Sequence, residues 1–366
     1  MRTIVLTQPG SFAAVDTPRP PAPGQGEALV RVRRIGVCGT DLHAFRGRQP
    51  FFTYPRILGH ELGVEVAAVG AGVAGIAAGD RCAVEPYLDC GVSGLEARCV
   101  ACRRGRTNCC TRLQCLGVHC DGGMREWIVV PAAKLHKSGR LSLDQLALVE
   151  TLGIGAHAVA RAESLSARAN HTATRTADTA VAPSVLAGDL ALVVGAGPIG
   201  LAVAQFALLA GARVAVLDVR PDRLDFCRKL GVQHVLDGRG DALAQLEEIS
   251  GGELATTVFD ATGSAASMAR SFDYTAHGGT LVYVGLVQAD VTFHDPHFHR
   301  REISLLASRN STAADFRRII GLMEAGRIDT TPWITHRADF ADAIEQFPSW
   351  LEPENQVVKA VVEIED

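Results

Sequence analysis

The sequence predicts an α/β protein of two domains: a twisted β domain, then a doubly wound parallel sheet covered by helices. The stretch from Ile4 to about Val130 reads as short strands punctuated by Gly and Pro, with little helical periodicity. From Leu190 onward apolar strands alternate with helices, a pattern that requires parallel strands joined by crossovers. A length of 366 residues exceeds one ordinary core and falls short of three.

The first domain is written in EALVRVRRIGVCG, VEVAAVGAGV and REWIVVPAAKL, all rich in β-branched residues. LSLDQLALVETLGIGAHAVARA then reads as helices leading toward the second domain. The Ala- and Thr-rich ARANHTATRTADTAVAPS, within residues 163–187, reads as an exposed insertion. The second domain follows as ALVVGAG, a helix through PIGLAVAQFALLAG, the strand RVAVLDV, a helix from Pro221 to Leu230, then TTVFDATG and GTLVYVGL. Past Pro296, a strand-like EISLLAS, an amphipathic helix AADFRRIIGLMEAG and a strand VVKAVVEI are expected to complete the first domain. The expected limits are 1–152 with 298–366 for the first domain and 153–297 for the second.

Acidic and basic residues are interspersed and the formal charge is -4, so no basic stripe advertises nucleic acid or an anionic membrane. The first residues lack the long apolar core of a secretory signal, and no apolar run reaches the roughly 18 residues that span a bilayer. A cytoplasmic protein is expected. In that reducing setting ten cysteines, several of them clustered, point to metal rather than to disulfides.

Gly195, Gly197 and Gly200 form G-x-G-x-x-G between the strand ALVV and a helix. Glycines there permit a tight turn and close approach of backbone to a pyrophosphate at the helix N-terminus. The next strand ends at Asp218, whose carboxylate can accept hydrogen bonds from both ribose hydroxyls and would repel a 2'-phosphate. NAD is therefore expected rather than NADP, with Arg220 and Arg223 nearby weighing the other way.

Cys99-x2-Cys102, with Cys90 upstream and Cys110 downstream, offers four thiolates for a tetrahedral structural zinc. Cys109 adjoins Cys110 and competes with it, and eight residues separate Cys90 from Cys99. Cys82, Cys115, Cys120 and Cys227 sit in apolar contexts and read as small buried hydrophobes. A second constellation is Cys38, Thr40, Asp41 and His43, then His60-Glu61, then Glu150. It supplies a thiolate, an imidazole and carboxylates from separate loops, as an open catalytic zinc site does.

GVCGTDLH, GHELGVEV, the cysteine cluster and GAGPIG, in this order over nearly the whole chain, resemble the medium-chain, zinc-dependent alcohol dehydrogenase family. LGVHCDGGM, SRNSTAADF and PWITHRADFADAI are similar to its polyol, threonine and sugar-acid branch, L-galactonate or L-gulonate 5-dehydrogenase-like members above all. The resemblance implies a GroES-like twisted β catalytic domain, a Rossmann dinucleotide-binding domain, two zinc ions per chain, NAD, and a homodimer or homotetramer. It implies that Cys38, His60 and a carboxylate hold the catalytic zinc, with Glu61 a direct ligand and Glu150 a ligand or water-mediated partner. Asp41 would orient His60, and Thr40 with His43 would carry the alcohol proton to solvent. Ile199, Arg223 and Leu286 would join the glycines and Asp218 around the cofactor. Arg309, and less directly Arg46 and Arg48, would face a substrate carboxylate. Glu150 is followed by Thr151 where the family usually has proline. The implied activity is NAD-dependent oxidation of a secondary alcohol on a sugar acid or polyol. L-threonine 3-dehydrogenase activity and a non-catalytic regulator that binds zinc and dinucleotide are the alternatives.

Overall fold

Apolar residues buried on both faces make Glu27–Val37 the strand on which the first half of the protein is built, among them Ala28, Leu29, Val30, Val32 and Ile35. The computed structural model describes residues 1–92, 97–169, 184 and 186–365. It divides into two units, Met1–Gly153 with Asn310–Asp366, and Ile154–Arg309. The helix Val149–Ala169 carries the chain from one to the other. No helix among the described residues is long and apolar enough to cross a membrane.

In the first unit Glu27–Val37 pairs antiparallel with Glu61–Val69, Trp127–Pro131 and Lys359–Glu363. The seven-stranded sheet runs Ile334–Asp339, Lys359–Glu363, Glu27–Val37, Glu61–Val69, Arg81–Val84, Leu135–Lys137, with Trp127–Pro131 off that path. Its apolar cluster includes Leu6, Ile35, Leu58, Leu62 and Val64, all essentially solvent-free. Burying each such side chain stabilises by roughly 1.5–3 kcal/mol, so a register slip that turned them outward would be heavily disfavoured. The pairing places Gly36 opposite Glu61 and Val37 opposite Ala360. Three strand ends are thereby brought to one edge: Cys38 just past the first, Glu61 at the start of the second, and Lys359 at the start of the third.

The second unit has six parallel strands in the order His234–Asp237, Arg213–Asp218, Leu190–Val194, Ala255–Asp260, Thr275–Tyr283, Ser304–Ala307. The helices Pro198–Leu209, Pro221–Lys229, Ala242–Ser250 and Ala265–Arg270 connect them. Numbered along the chain this is the doubly wound order 3-2-1-4-5-6 of dinucleotide-binding sheets. The first strand is buried at every position, as a central parallel strand covered on both faces must be.

Residues 298–309, expected in the first domain, lie in the second unit. Ser304–Ala307 pairs with Thr275–Tyr283 and completes the parallel sheet. EISLLAS reads equally well as a strand of either sheet, and only the pairing decides. The expected insertion lies largely outside the described residues, at 170–183 and 185.

Candidate metal centres and cofactor site

The helix Gly39–Phe45 begins immediately after Cys38, which is its N-cap. Asp41 closes this turn: its Oδ2 accepts a hydrogen bond from the Cys38 N–H at 3.0 Å, while its Oδ1 lies 3.6 Å from His60 Nδ1. One fully buried carboxylate thus fixes the backbone of Cys38 and lies beside the Nδ1 side of His60. Ligand atoms of Cys38, His60 and Glu61 all lie within 4.8 Å of one another. Glu150 is buried nearby but is not in that trio; its Oε1 accepts a short hydrogen bond from Tyr87 Oη.

The electrostatics of this pocket favour a cation. Burial pushes the His60 imidazolium toward deprotonation, but Asp41, Cys38 and Glu150 outweigh it and raise its pKa well above the ordinary value. Burial likewise raises the Glu150 carboxyl, against the opposing pull of His60. Burial would raise Glu61 too, yet Lys359 and His60 hold it below its usual range. A soft sulfur, an imidazole and a hard carboxylate within reach of one another fit zinc, and three protein ligands rather than four suit a catalytic rather than a structural ion.

The second cluster is cysteine alone. Ligand atoms of Cys90, Cys99, Cys102 and Cys110 lie within 4.8 Å of one another, and Cys109 is not part of the group. Backbone N–H groups point at the sulfurs: Cys99 N to Cys90 Sγ at 3.3 Å, Cys90 N to Cys110 Sγ at 3.4 Å, Cys102 N to Cys99 Sγ at 3.5 Å. These donors favour thiolate, and the Cys102 N–H leads in bringing Cys99 down to about 5. Four sulfurs with no open position fit a structural zinc. Residues 93–96 of the loop between Cys90 and Cys99 lie outside the described residues, but both ends of that loop reach the cluster.

The G-x-G-x-x-G turn lies at the carboxyl end of Leu190–Val194, with Gly197 as N-cap and Pro198 opening the next helix. A Cβ on Gly200 would sit 1.7 Å from Gly195 O, so only glycine lets helix and turn approach this closely. Asp218 ends the adjacent strand; its Oδ2 accepts from Ala196 N at 2.6 Å and its Oδ1 from Arg220 N at 2.8 Å. Arg220 is paired with Asp222 at 2.8 Å and partly exposed, whereas Arg223 is buried. Ile199 is half-buried in the first helical turn and Leu286 is exposed.

Arg309 is exposed at the end of the second unit. Arg46 is exposed in the first, donating to Leu351 O at 3.2 Å. Thr40 and His43 are one helical turn apart, so their side chains neighbour each other.

Sequence reasoning did not find Lys359, Tyr87 or a buried network at the foot of the cysteine loop. In that network Lys134 Nζ donates to Glu85 at 2.5 Å and Asp89 at 2.8 Å, and Glu85 also meets His136 Nε2 at 3.0 Å. Asp89 precedes Cys90 and accepts from Gly91 N at 2.7 Å, which anchors the loop. A lysine inside the apolar run VVKAVVEI was the visible signal for Lys359.

Residues 24–140 match the alcohol dehydrogenase GroES-like domain and residues 198–325 match the zinc-binding dehydrogenase family. The chain is 39% identical over 343 residues to L-galactonate-5-dehydrogenase of Escherichia coli, covering 93% of each. It is 30% identical over 344 residues to 2-dehydro-3-deoxy-L-galactonate 5-dehydrogenase of Pseudoalteromonas atlantica, again covering 93% of each. An Escherichia coli alcohol dehydrogenase solved in complex with NADH superposes with a TM-score of 0.86 at 26% identity, covering 99% of both chains. With the thiolate-imidazole-carboxylate trio, the four-cysteine cluster and the glycine turn all in place, the chain belongs to the zinc-binding alcohol dehydrogenase family, with a GroES-like domain and a dinucleotide-binding parallel sheet.

Proposed function

We propose that the protein oxidises a secondary hydroxyl of a sugar acid or polyol of the L-galactonate or L-gulonate kind, with NAD as hydride acceptor. The observation that carries this reading is the buried convergence of Cys38, His60 and Glu61 in a chain 39% identical to L-galactonate-5-dehydrogenase. Cys38, His60 and a carboxylate, Glu61 or Glu150, would hold a zinc ion, whose Lewis acidity lowers the pKa of a nearby hydroxyl. Cys90, Cys99, Cys102 and Cys110 would hold a second, structural one. The first unit would be the catalytic domain and the second the NAD-binding domain.

Asp41 keeps Cys38 and His60 in place for this task. Thr40 and His43 are suited to pass the hydroxyl proton outward: partial burial, then Arg46 and Arg48, lower the His43 pKa, so its ring is neutral and able to accept near pH 7. Gly195, Gly197, Ile199 and Gly200 would receive the pyrophosphate, Asp218 the adenosine ribose, and Arg223 and Leu286 would flank the cofactor. Arg309 and Arg46 are the cations assigned to a substrate carboxylate. A homodimer or homotetramer in the cytoplasm is part of the same proposal.

The test is NADH formation, followed by absorbance, with zinc-loaded protein and a panel of aldonates, polyols and L-threonine. Turnover of an aldonate or polyol is expected. Activity on threonine alone would move the assignment to threonine dehydrogenase, and a silent panel would refute it.

A further inference from the structure

Lys359 is 2% exposed and Glu61 is wholly buried, yet they form the tightest ion pair of the catalytic pocket. Lys359 Nζ lies 2.7 Å from Glu61 Oε1 and 2.7 Å from Oε2, and 3.3 Å from the carbonyl of Val37. All three ammonium hydrogens thus have acceptors, two of them the oxygens that Glu61 would offer to a metal. The contact crosses the intervening strand Glu27–Val37, and the crossing is open only because residue 36 is glycine: a Cβ there would fall 2.1 Å from Glu61 Oε2. The register sets Val361 opposite Gly36 and Gly36 opposite Glu61, so Lys359, Gly36, Cys38 and Glu61 share one face of the sheet. None of this is needed to place Glu61 beside Cys38 and His60, because the strand already does so.

We propose that Lys359 is a positioning residue of the catalytic metal centre that competes with the ion for the Glu61 carboxylate and keeps Glu61 a weak, exchangeable ligand. The inference rests on the metal assignment above. An ammonium and a divalent cation both draw on the same two oxygens and repel each other, so each weakens the other's hold on Glu61. With Glu61 held back in this way, Glu150 has scope to alternate with it. In the absence of metal the same ammonium spares Glu61 the cost of a buried, uncompensated charge.

The experiment measures metal release into excess chelator, and the absorption bands of the cobalt-substituted protein. The phase belonging to this centre is the one missing from Cys38→Ser. Lys359→Met is expected to slow that phase by about tenfold or more, the factor carried by one charge-assisted hydrogen bond removed from the competing side, and to shift the cobalt bands as Glu61 ligates fully. Lys359→Arg, which keeps the charge, is expected to restore wild-type release and bands. Lys359→Met can fail to fold by stranding Glu61. The comparison is then repeated between Glu61→Gln and the double variant Glu61→Gln/Lys359→Met, which are expected to release metal at similar rates. Release from Lys359→Met as fast as from wild type, or a double variant slower than Glu61→Gln by the full tenfold factor, would overturn the proposal. Absence of any Cys38-dependent phase in the wild-type protein would instead remove the metal assignment itself.

Discussion

Gly200→Ala isolates the cofactor turn from the metal centres. Gly200 is the third residue of the helix Pro198–Leu209, where alanine would ordinarily stabilise by roughly 0.5–1 kcal/mol. Here the new Cβ would lie 1.7 Å from Gly195 O, whereas real contacts keep at least 3.0 Å, so turn and helix must part by about 1.3 Å. Gly195 O is a backbone atom and a Cβ is fixed rigidly to its Cα, so no side-chain rotation can relieve the overlap. A shift of that size moves the N–H groups that would meet a pyrophosphate, and misplacement by about 1 Å can cost on the order of a hundredfold. The expected result is an NADH dissociation constant raised at least tenfold in a fluorescence titration, with zinc content unchanged by metal analysis. If the variant binds NADH within about twofold of wild type and melts higher, helix propensity has won and the close-approach reasoning is wrong.

Cys99→Ser should lower bound zinc from two ions per chain to one and cost on the order of several kcal/mol, read as a lower melting temperature that added zinc does not restore. Arg46→Gln removes a charge that depresses the His43 pKa, so that pKa rises toward its ordinary value. Because the neutral ring accepts the proton, the acid limb of kcat should then move to higher pH, and an unmoved limb would exclude His43 from the relay. Burial pushes the Asp144 carboxyl up, but Arg337 and Arg34 outweigh it and hold it below the usual range. A depressed folded pKa contributes stability above the unfolded value of about 3.9 that is lost as pH falls through the folded one. Asp144→Asn should therefore lower the melting temperature at neutral pH and leave a shallower decline below about pH 4; parallel acid limbs would count against the pairing.

Much of this centre was legible because its chemistry is local. Cys38, Thr40, Asp41 and His43 lie within six consecutive residues, His60 and Glu61 are adjacent, and the glycine turn is a six-residue motif between a strand and a helix. What the sequence withheld depends on strand pairing. Lys359 lies 298 positions from Glu61, and nothing local distinguishes its partner until the sheet sets Val37 beside Ala360. Cys110 was the residue expected beside Cys90, Cys99 and Cys102, with Cys109 a competitor, and the fold brings Cys110 into the group: adjacent residues differ by a rotation about the backbone and not by chemistry. The fate of residues 298–309 turned on hydrogen bonds to Thr275–Tyr283 rather than on the character of EISLLAS itself. Tyr87 went unnoticed because a tyrosine in a strand is ordinary until a buried carboxylate is found against its hydroxyl.

The meeting of three strand ends at one sheet edge ties metal retention to correct assembly. Side chains alternate between faces, so sliding the strand Glu61–Val69 by a single residue would swing Glu61 to the far side while most of the sheet's hydrogen bonds re-formed. Such a misassembled chain would keep its secondary structure and lose its grip on the ion. Tight zinc uptake therefore serves as a check on strand alignment, one that a circular dichroism spectrum alone would miss.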